Sequence, residues 1–137
     1  MLNDAKINSD DVVRGDLDYI CQKADGELSE LAGKRIAITG GAGFLGYYLV
    51  QSLLHWNEVS GKDPVMVYVY DNFSRGMPAW LAALDGNEHL EIARHDIADP
   101  LPEEFGPFEY IIHAASIASP IFYRLHPIET MDANVNG

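Results

Sequence analysis

The feature that most constrains the fold of this chain is a glycine-rich segment that directly follows a short apolar run. The run is Arg35-Ile36-Ala37-Ile38-Thr39, and the segment continues as Gly40-Gly41-Ala42-Gly43-Phe44-Leu45-Gly46. Short continuous apolar runs are typical of parallel strands that are buried on both faces. Helical spacing then extends to Trp56, on a face formed by Leu45, Tyr48, Leu49, Ser52 and Leu53. The pattern predicts a strand, a tight turn and a helix in succession.

Three glycines of the segment have distinct physical roles in such a turn. Gly40 permits the sharp exit from the strand, and Gly43 leaves room for a ligand beside the helix N-terminus. The main-chain amides there, including those of Phe44 and Leu45, can hold a diphosphate at the positive end of the helix dipole. Gly46 allows close packing of the helix against the sheet. The segment predicts a dinucleotide site; the alternative is an interaction domain in which the glycines form a turn and nothing more.

Further alternation of strands and helices sets the fold class. Strands are predicted at Val65–Tyr70, Leu90–Ala93 and Tyr110–His113. Helices are predicted from Pro78 to Leu84 and from Pro127 onward, with a loop from Ala114 to His126 between the last strand and the last helix. Such alternation implies parallel βαβ units with right-handed crossovers. We therefore predict a Rossmann-type three-layer α/β fold whose partial parallel sheet has the strand order 3-2-1-4.

An acidic residue at the end of the second predicted strand bears on the choice of dinucleotide. Asp71 lies 25 positions after Gly46. A carboxylate there can accept hydrogen bonds from the ribose hydroxyls of an adenosine and would repel a 2′-phosphate, which favours NAD over NADP. Arg75 keeps the alternative open, because an arginine near this acid can accept a 2′-phosphate.

The composition excludes several classes of partner. Asp and Glu number 21 against 9 Lys and Arg, which gives a net charge of −12. Without a basic patch we expect no binding to nucleic acid, and an anionic membrane surface would repel the chain. The longest apolar run is too short to cross a bilayer and no secretory signal is evident, so we expect a cytoplasmic protein. One cysteine and scattered histidines predict neither a disulfide nor a metal site.

The first 33 residues differ from the rest of the chain. They are rich in Asp, Asn and Gly, and Val13, Leu17 and Ile20 recur at helical spacing after Asp10 or Asp11, either of which can cap a helix. We interpret residues 1–33 as an N-terminal helical extension and residues 34–137 as a dinucleotide-binding domain.

Several motifs in order resemble the extended short-chain dehydrogenase/reductase family, especially its NAD-dependent nucleotide-sugar epimerases, dehydratases and decarboxylases. These motifs are Thr39–Gly46, Asp71–Gly76, Asp96-Ile97, His113-Ala114-Ala115 and Asn134–Gly137. The stretch His113–Pro120, followed by Tyr123 and Pro127–Thr130, is similar to a pattern of the UDP-glucuronate decarboxylases, which carry proline where this chain has Ile117. The resemblance covers about residues 34–137.

The resemblance implies roles for individual residues. Residues 71–76 would surround the adenosine, the pair 96–97 would lie beside the adenine, and the backbone of residues 114–116 would follow the cofactor. Ser119 and Tyr123 would lie near a nucleotide-sugar substrate; the alternative is a local role in a turn and in packing. The predicted cofactor-binding residues are Gly40, Gly43, Phe44, Leu45, Gly46, Asp71, Asn72, Ser74, Arg75, Asp96, Ile97, Ala114, Ala115 and Ser116.

The catalytic pair of that family is absent from this sequence. The resemblance implies catalysis by a Tyr-x-x-x-Lys pair, in which the lysine lowers the pKa of a tyrosine that acts as general base. Lysine occurs at positions 6, 23, 34 and 62, and no Tyr-x-x-x-Lys is present. We therefore expect no catalytic residue here. Two explanations stay open: the cofactor-binding part of a longer enzyme, without its catalytic helix and substrate lobe, or a short NAD-binding or redox-sensing protein.

The fourth predicted strand would lie at an open edge of the sheet. Its residues, Tyr110 to His113, are apolar and carry no formal charge at neutral pH. Such an edge favours pairing with a second copy, so we predict a homodimer.

Overall fold

A computed structural model describes residues 8–137 as helices around a four-stranded parallel sheet. The first seven residues of the predicted extension lie outside the described residues. The strands are β1 (Arg35–Thr39), β2 (Met66–Asp71), β3 (Leu90–Arg94) and β4 (Tyr110–His113). The helices are α1 (Ser9–Lys23), α2 (Asp25–Glu30), α3 (Phe44–Val59), α4 (Ala79–Ala82), α5 (Pro120–Leu125) and α6 (Pro127–Val135). The order β3-β2-β1-β4 confirms the predicted fold.

One face of the sheet forms the main core. Ile36 and Ile38 of β1 and Val67 and Val69 of β2 are buried, because α3 packs over this face. The face that α3 buries agrees with the predicted one only in part. Ser52 and Leu53 are buried as predicted, whereas Leu45 is 64% exposed, and Val50 and Leu54 are buried as well. The buried surface is wider than one stripe because α1 packs on the outer side of the helix.

The N-terminal extension packs on the outer side of α3. Leu17 and Cys21 of α1 are buried, and the Tyr48 hydroxyl donates a hydrogen bond of 2.7 Å to the Asp16 carboxylate. The Asn8 side chain accepts from the amide of residue 10 and caps α1, so the predicted aspartate cap was wrong. The sequence analysis also missed α2, which is six residues long and has a single buried side chain, Leu28.

Other boundaries shift for local reasons. α3 continues to Val59, three residues past the predicted end. α4 forms a single turn that ends at Ala82, two residues before the predicted end, and Pro78 stands outside it as the N-cap. The predicted loop from Ala114 to His126 contains α5. Pro120 begins that helix, a position where the missing amide of proline costs nothing. No helix within residues 8–137 has the length and apolar character needed to cross a membrane.

The contact between α3 and the glycine turn is made by backbone. A Cβ atom on Gly46 would lie 2.0 Å from the carbonyl oxygen of Gly41, and one on Gly41 would lie 2.8 Å from the Val69 side chain. The helix therefore rests on the turn, and the turn rests on β2. The close packing predicted for Gly46 is thus made through the turn, whose Gly41 lies against β2.

The second face of the sheet carries aromatic side chains. Tyr70 of β2 is 2% exposed and stacks on Phe105 with ring centroids 4.8 Å apart. Within residues 8–137 its hydroxyl has no hydrogen-bond partner. The neighbouring Tyr68 differs, because its hydroxyl accepts a hydrogen bond of 3.2 Å from Nε of Arg35. Burial raises the pKa of Tyr70 to about 12, with a smaller contribution from the charge of Glu91.

Substitution of Gly46 by alanine tests the backbone contact. The Cβ atom cannot be accommodated unless α3 moves away from the turn, so we expect a loss of at least about 2 kcal/mol in the free energy of unfolding. Gly15 in α1 is the control, because a Cβ there meets nothing within 4 Å. Gly15→Ala should raise stability by roughly 0.5–1 kcal/mol, since alanine favours a helix interior. Urea unfolding measures both; a Gly46→Ala variant as stable as the native protein would contradict the contact.

Substitution of Tyr70 by phenylalanine tests the buried hydroxyl. Because the hydroxyl is desolvated without a partner, we expect Tyr70→Phe to keep or raise stability, by about 1 kcal/mol at most. Tyr68→Phe is the control and should lose stability, since it removes a hydrogen bond. A clear loss of stability in Tyr70→Phe at neutral pH would count against an unpartnered hydroxyl.

The same variant tests the pH dependence of stability. The pKa of Tyr70 is raised from 10.0 to about 12, so the unfolded chain loses this proton first as the pH rises. The contribution of Tyr70 to stability is therefore complete below pH 10 and declines towards pH 12. Between pH 9 and pH 11, the urea midpoint should fall less in Tyr70→Phe than in the native protein.

Candidate functional site

A cleft of about 320 Å³ lies at the carboxyl ends of the strands. β1 is flanked by β2 on one side and β4 on the other, so the chain crosses over in opposite directions from this strand. Ligands of open α/β sheets bind in the crevice at such a point. The residues that line the cleft come from the turn after β1, the ends of β2 and β3, the segment after β4, and α6.

The turn after β1 presents the N-terminus of α3. Gly40 has a φ of +67°, and its amide donates a hydrogen bond of 2.7 Å to the carbonyl of Tyr70. A Cβ on Gly40 would lie 2.5 Å from Cα of Ala115, so glycine is required where the turn meets the segment after β4. Gly43 is the N-cap of α3 and has no side chain to cap it. The first-turn amides therefore remain donors for a ligand.

The carboxylate of Asp71 joins two loops at the edge of the cleft. Its Oδ2 accepts a hydrogen bond of 3.1 Å from the amide of Ala42, and its Oδ1 accepts one of 2.8 Å from the amide of Phe73. A carboxylate has about four acceptor positions, so both oxygens keep capacity for a further donor. Asp71 thus holds the glycine turn against the end of β2 and can still accept hydroxyl groups.

A second acidic group lies beyond Asp71. The Asp96 carboxylate accepts from the side-chain amide of Asn72 at 3.1 Å and from the backbone amide of Ala98 at 3.1 Å. These two hydrogen bonds, the first contributing more, lower the pKa of Asp96 below its ordinary value. Arg94 donates to the carbonyl of Asn72 at 2.9 Å and fixes the same turn. Ionised carboxylates at positions 71 and 96 would disfavour a phosphate at this end of the cleft.

The opposite wall of the cleft belongs to α6. Glu129, Asp132 and Ala133 of this helix line it. Nε2 of His113, at the end of β4, lies 2.9 Å from the carbonyl oxygen of Ala133. The side-chain amide of Asn134 donates to Oγ of Ser116 at 3.0 Å. α6 is therefore linked to β4 and to the segment that follows it.

The structure brings most of the predicted residues together. Those that line the cleft are Gly40, Gly43, Asp71, Asn72, Ser74, Arg75, Asp96, Ile97, Ala114, Ala115 and Ser116. Five other predicted residues are not among the described residues that line the cleft: Phe44, Leu45, Gly46, Ser119 and Tyr123. Phe44 and Leu45 point their side chains to solvent at the start of α3, where their amides were expected to act. Ser119 is the N-cap of α5, and Tyr123 lies within that helix.

The sequence analysis missed several residues of the cleft. They are Ala42, Gly76, His95, Ala98, Ile117, Glu129, Asp132 and Ala133. Five of them adjoin predicted site residues in sequence and could have been found on that basis. The three from α6 could not be assigned to the cleft from sequence, although Glu129 lies in the stretch Pro127–Thr130, because their position depends on how that helix docks. Across residues 8–137 no group of three or more His, Cys, Asp or Glu side chains could hold a metal ion.

Curated relatives with similar sequences are decarboxylases. UDP-glucuronic acid decarboxylase 6 of Arabidopsis thaliana is 42% identical over 103 residues, which cover 75% of this chain and 27% of the relative. UDP-glucuronic acid decarboxylase 1 of Danio rerio is 40% identical over 110 residues, which cover 80% of this chain and 24% of the relative. The chain therefore spans about a quarter of the length of these relatives.

Solved structures with the same fold are nucleotide-sugar enzymes. The dTDP-glucose 4,6-dehydratase of Streptomyces venezuelae, with NAD and TYD bound, has a TM-score of 0.62 and 28% identity over 74% of this chain and 32% of that chain. The UDP-N-acetylglucosamine 4-epimerase of Methanobrevibacter ruminantium M1, in complex with UDP-N-acetylmuramic acid, has a TM-score of 0.59 and 26% identity over 76% of this chain and 31% of that chain.

The family model described as "NAD dependent epimerase/dehydratase family" matches residues 36–137, which include the whole sheet except Arg35 and every described residue that lines the cleft. This match agrees with the motifs read from the sequence and with NAD as the predicted cofactor. The chain belongs to the NAD dependent epimerase/dehydratase family.

Proposed function

We propose that residues 34–137 are the NAD-binding part of an enzyme that acts on a nucleotide sugar as an epimerase, dehydratase or decarboxylase. The proposal rests on one observation. The N-terminus of α3, which has no side-chain cap, and the carboxylate of Asp71 lie at the same cleft. The first-turn amides suit a diphosphate, and the carboxylate suits ribose hydroxyls. NAD, when bound, supplies a reversible acceptor for a hydride from the sugar.

Charge in the cleft supports NAD over NADP in this proposal. Four carboxylates line it, at Asp71, Asp96, Glu129 and Asp132, against the single guanidinium of Arg75 among the described lining residues. A 2′-phosphate would bring about two further negative charges close to Asp71. The diphosphate itself is held by amides and the helix dipole, which need no cationic side chain. We therefore expect Arg75 to face the cofactor without selecting a 2′-phosphate.

The substrate belongs to the proposal as well. Relatives between 35% and 42% identical carry the name UDP-glucuronic acid decarboxylase, so UDP-glucuronate is the first nucleotide sugar to test. Ser119 and Tyr123 would lie on the substrate side. Because the sequence contains no Tyr-x-x-x-Lys, this chain alone would bind cofactor without turnover. A coding sequence that continues past Gly137 into a Tyr-x-x-x-Lys motif supports the enzyme; a stop codon there favours a non-catalytic NAD-binding or redox-sensing module.

Substitution of Asp71 by asparagine tests the cofactor site. Asparagine has one acceptor oxygen and one donor group, so it cannot accept from the amides of both Ala42 and Phe73. We expect NAD affinity to fall about tenfold or more, because the loop and the ribose contact are weakened together. Asp85→Asn, an exposed acid outside the lining of the cleft, is the matched control.

Titration calorimetry with NAD and NADP reads out this test. The native chain should bind NAD and bind NADP at least about tenfold more weakly. Asp85→Asn should behave as the native chain. Equal affinities for the two dinucleotides, or an Asp71→Asn variant with unchanged NAD affinity, would contradict the proposed cofactor site.

The predicted homodimer remains part of the proposal. β4 pairs with β1 along one edge, and Ile111 on β4 is 62% exposed. If β4 pairs with a second copy, light scattering should show a mass that rises with protein concentration. Ile111→Glu should keep the chain monomeric, because charge on an edge strand opposes pairing. A native chain that stays monomeric at high concentration would contradict this interface.

A further inference from the structure

The helix α6 forms one wall of the cleft but has little apolar attachment to the domain. In the described part of the chain none of its residues is buried, and Ile128 is 78% exposed and Val135 74% exposed. An apolar stripe normally fixes a helix on a sheet. Since the stripe of α6 faces solvent, its position relative to the sheet depends on a few polar contacts.

The side chain of His113 connects α6 to the sheet through two hydrogen bonds. Its Nδ1 lies 2.8 Å from Oγ1 of Thr39, and its Nε2 lies 2.9 Å from the carbonyl oxygen of Ala133. A carbonyl oxygen only accepts, so Nε2 carries the proton and donates. In the neutral ring Nδ1 then accepts, and the hydroxyl of Thr39 is the donor.

The two ends of this hydrogen-bonded chain lie on opposite sides of the cleft. Thr39 is 4% exposed, ends β1 and directly precedes the glycine turn. Ala133 lines the cleft from α6. One imidazole therefore bonds directly to both the end of β1 and α6. The link from Asn134 to Ser116 reaches β1 only through the intervening backbone, where the amide of Ala114 donates to the carbonyl of Thr39 at 3.0 Å.

We propose that His113 is a positioning residue that fixes α6 as the wall of the dinucleotide cleft and so determines how tightly the dinucleotide is held. This rests on the proposed function, since it takes the cleft to be the NAD site. His113 itself acts through α6, whose Glu129, Asp132 and Ala133 face the cleft. We call the hydrogen bond from His113 to the carbonyl of Ala133 the latch. Without it, α6 spends part of its time away from the cleft, and the apparent affinity for the dinucleotide falls in proportion to the fraction of molecules whose cleft is complete.

Two conservative substitutions separate the two ends of the contact. Asparagine places an acceptor oxygen where Nδ1 lies but is too short to reach Ala133, so His113→Asn keeps the contact with Thr39 and loses the latch to α6. Glutamine places a donor nitrogen near the position of Nε2, so His113→Gln can keep the latch. Thr39→Val removes the anchoring hydroxyl at the other end with little change of volume. His89→Asn is the matched control, because His89 lies outside the lining of the cleft, with its ring beside Glu88.

The experiment measures NAD affinity by calorimetry, α6 amide exchange in the NAD-free chain, and urea unfolding for each variant. We expect His113→Asn to weaken NAD binding about tenfold and to speed amide exchange in residues 127–135, with a nearly unchanged unfolding midpoint. Thr39→Val should shift both quantities in the same direction. His113→Gln should lie within about threefold of the native affinity, and His89→Asn should match the native chain.

Particular outcomes would overturn the proposal. If His113→Asn has native affinity and native α6 exchange, the latch does not exist. If His113→Gln is as weak as His113→Asn, the bond to Ala133 is not what matters. A native chain that binds no NAD contradicts the proposed function instead, and α6 exchange in the NAD-free variants then decides on the latch alone.

Discussion

The close approach of the α3 backbone to the glycine turn is the constraint on which the rest of the structure depends. Because Gly46 sits on the carbonyl of Gly41, and Gly41 sits on Val69, the helix starts directly above the sheet. That placement aims its first-turn amides at the carboxyl ends of the strands. Any side chain at these positions would lift the helix and move the donors away from the cleft. The binding site is therefore a consequence of packing, not an addition to it.

The carboxylate of Asp71 links this packing to chemistry. It bonds the amide of Ala42 in the glycine turn and the amide of Phe73 in the next loop, so one charged group fixes the relative position of two walls. The same group stands where a sugar hydroxyl would be recognised in a fold of this kind. Structural and binding roles thus fall on one side chain, and a substitution there changes the loops as well as the contact with a ligand.

Local patterns predicted the sheet well because parallel strands leave a strong signal. The runs at β1 and β2 are continuous and apolar, and both lie within one residue of their predicted bounds. Short helices left weaker signals. α5 follows Ser119-Pro120, a pair that also begins turns, and α2 has a single buried side chain, Leu28. The cap of α1 was misplaced by two or three residues because several polar residues near Asn8 suit the role equally.

The sequence by itself determined the fold class, the strand order, the glycine turn and the acid at the end of β2. These follow from short-range patterns, since periodicity and small residues act within a few positions of one another. Tertiary structure alone decided that α6 closes the cleft, that His113 bridges Thr39 and Ala133, and that Gly46 lies against the carbonyl of Gly41. Such contacts join residues far apart in the chain, and their geometry depends on how whole elements dock, which no local pattern encodes.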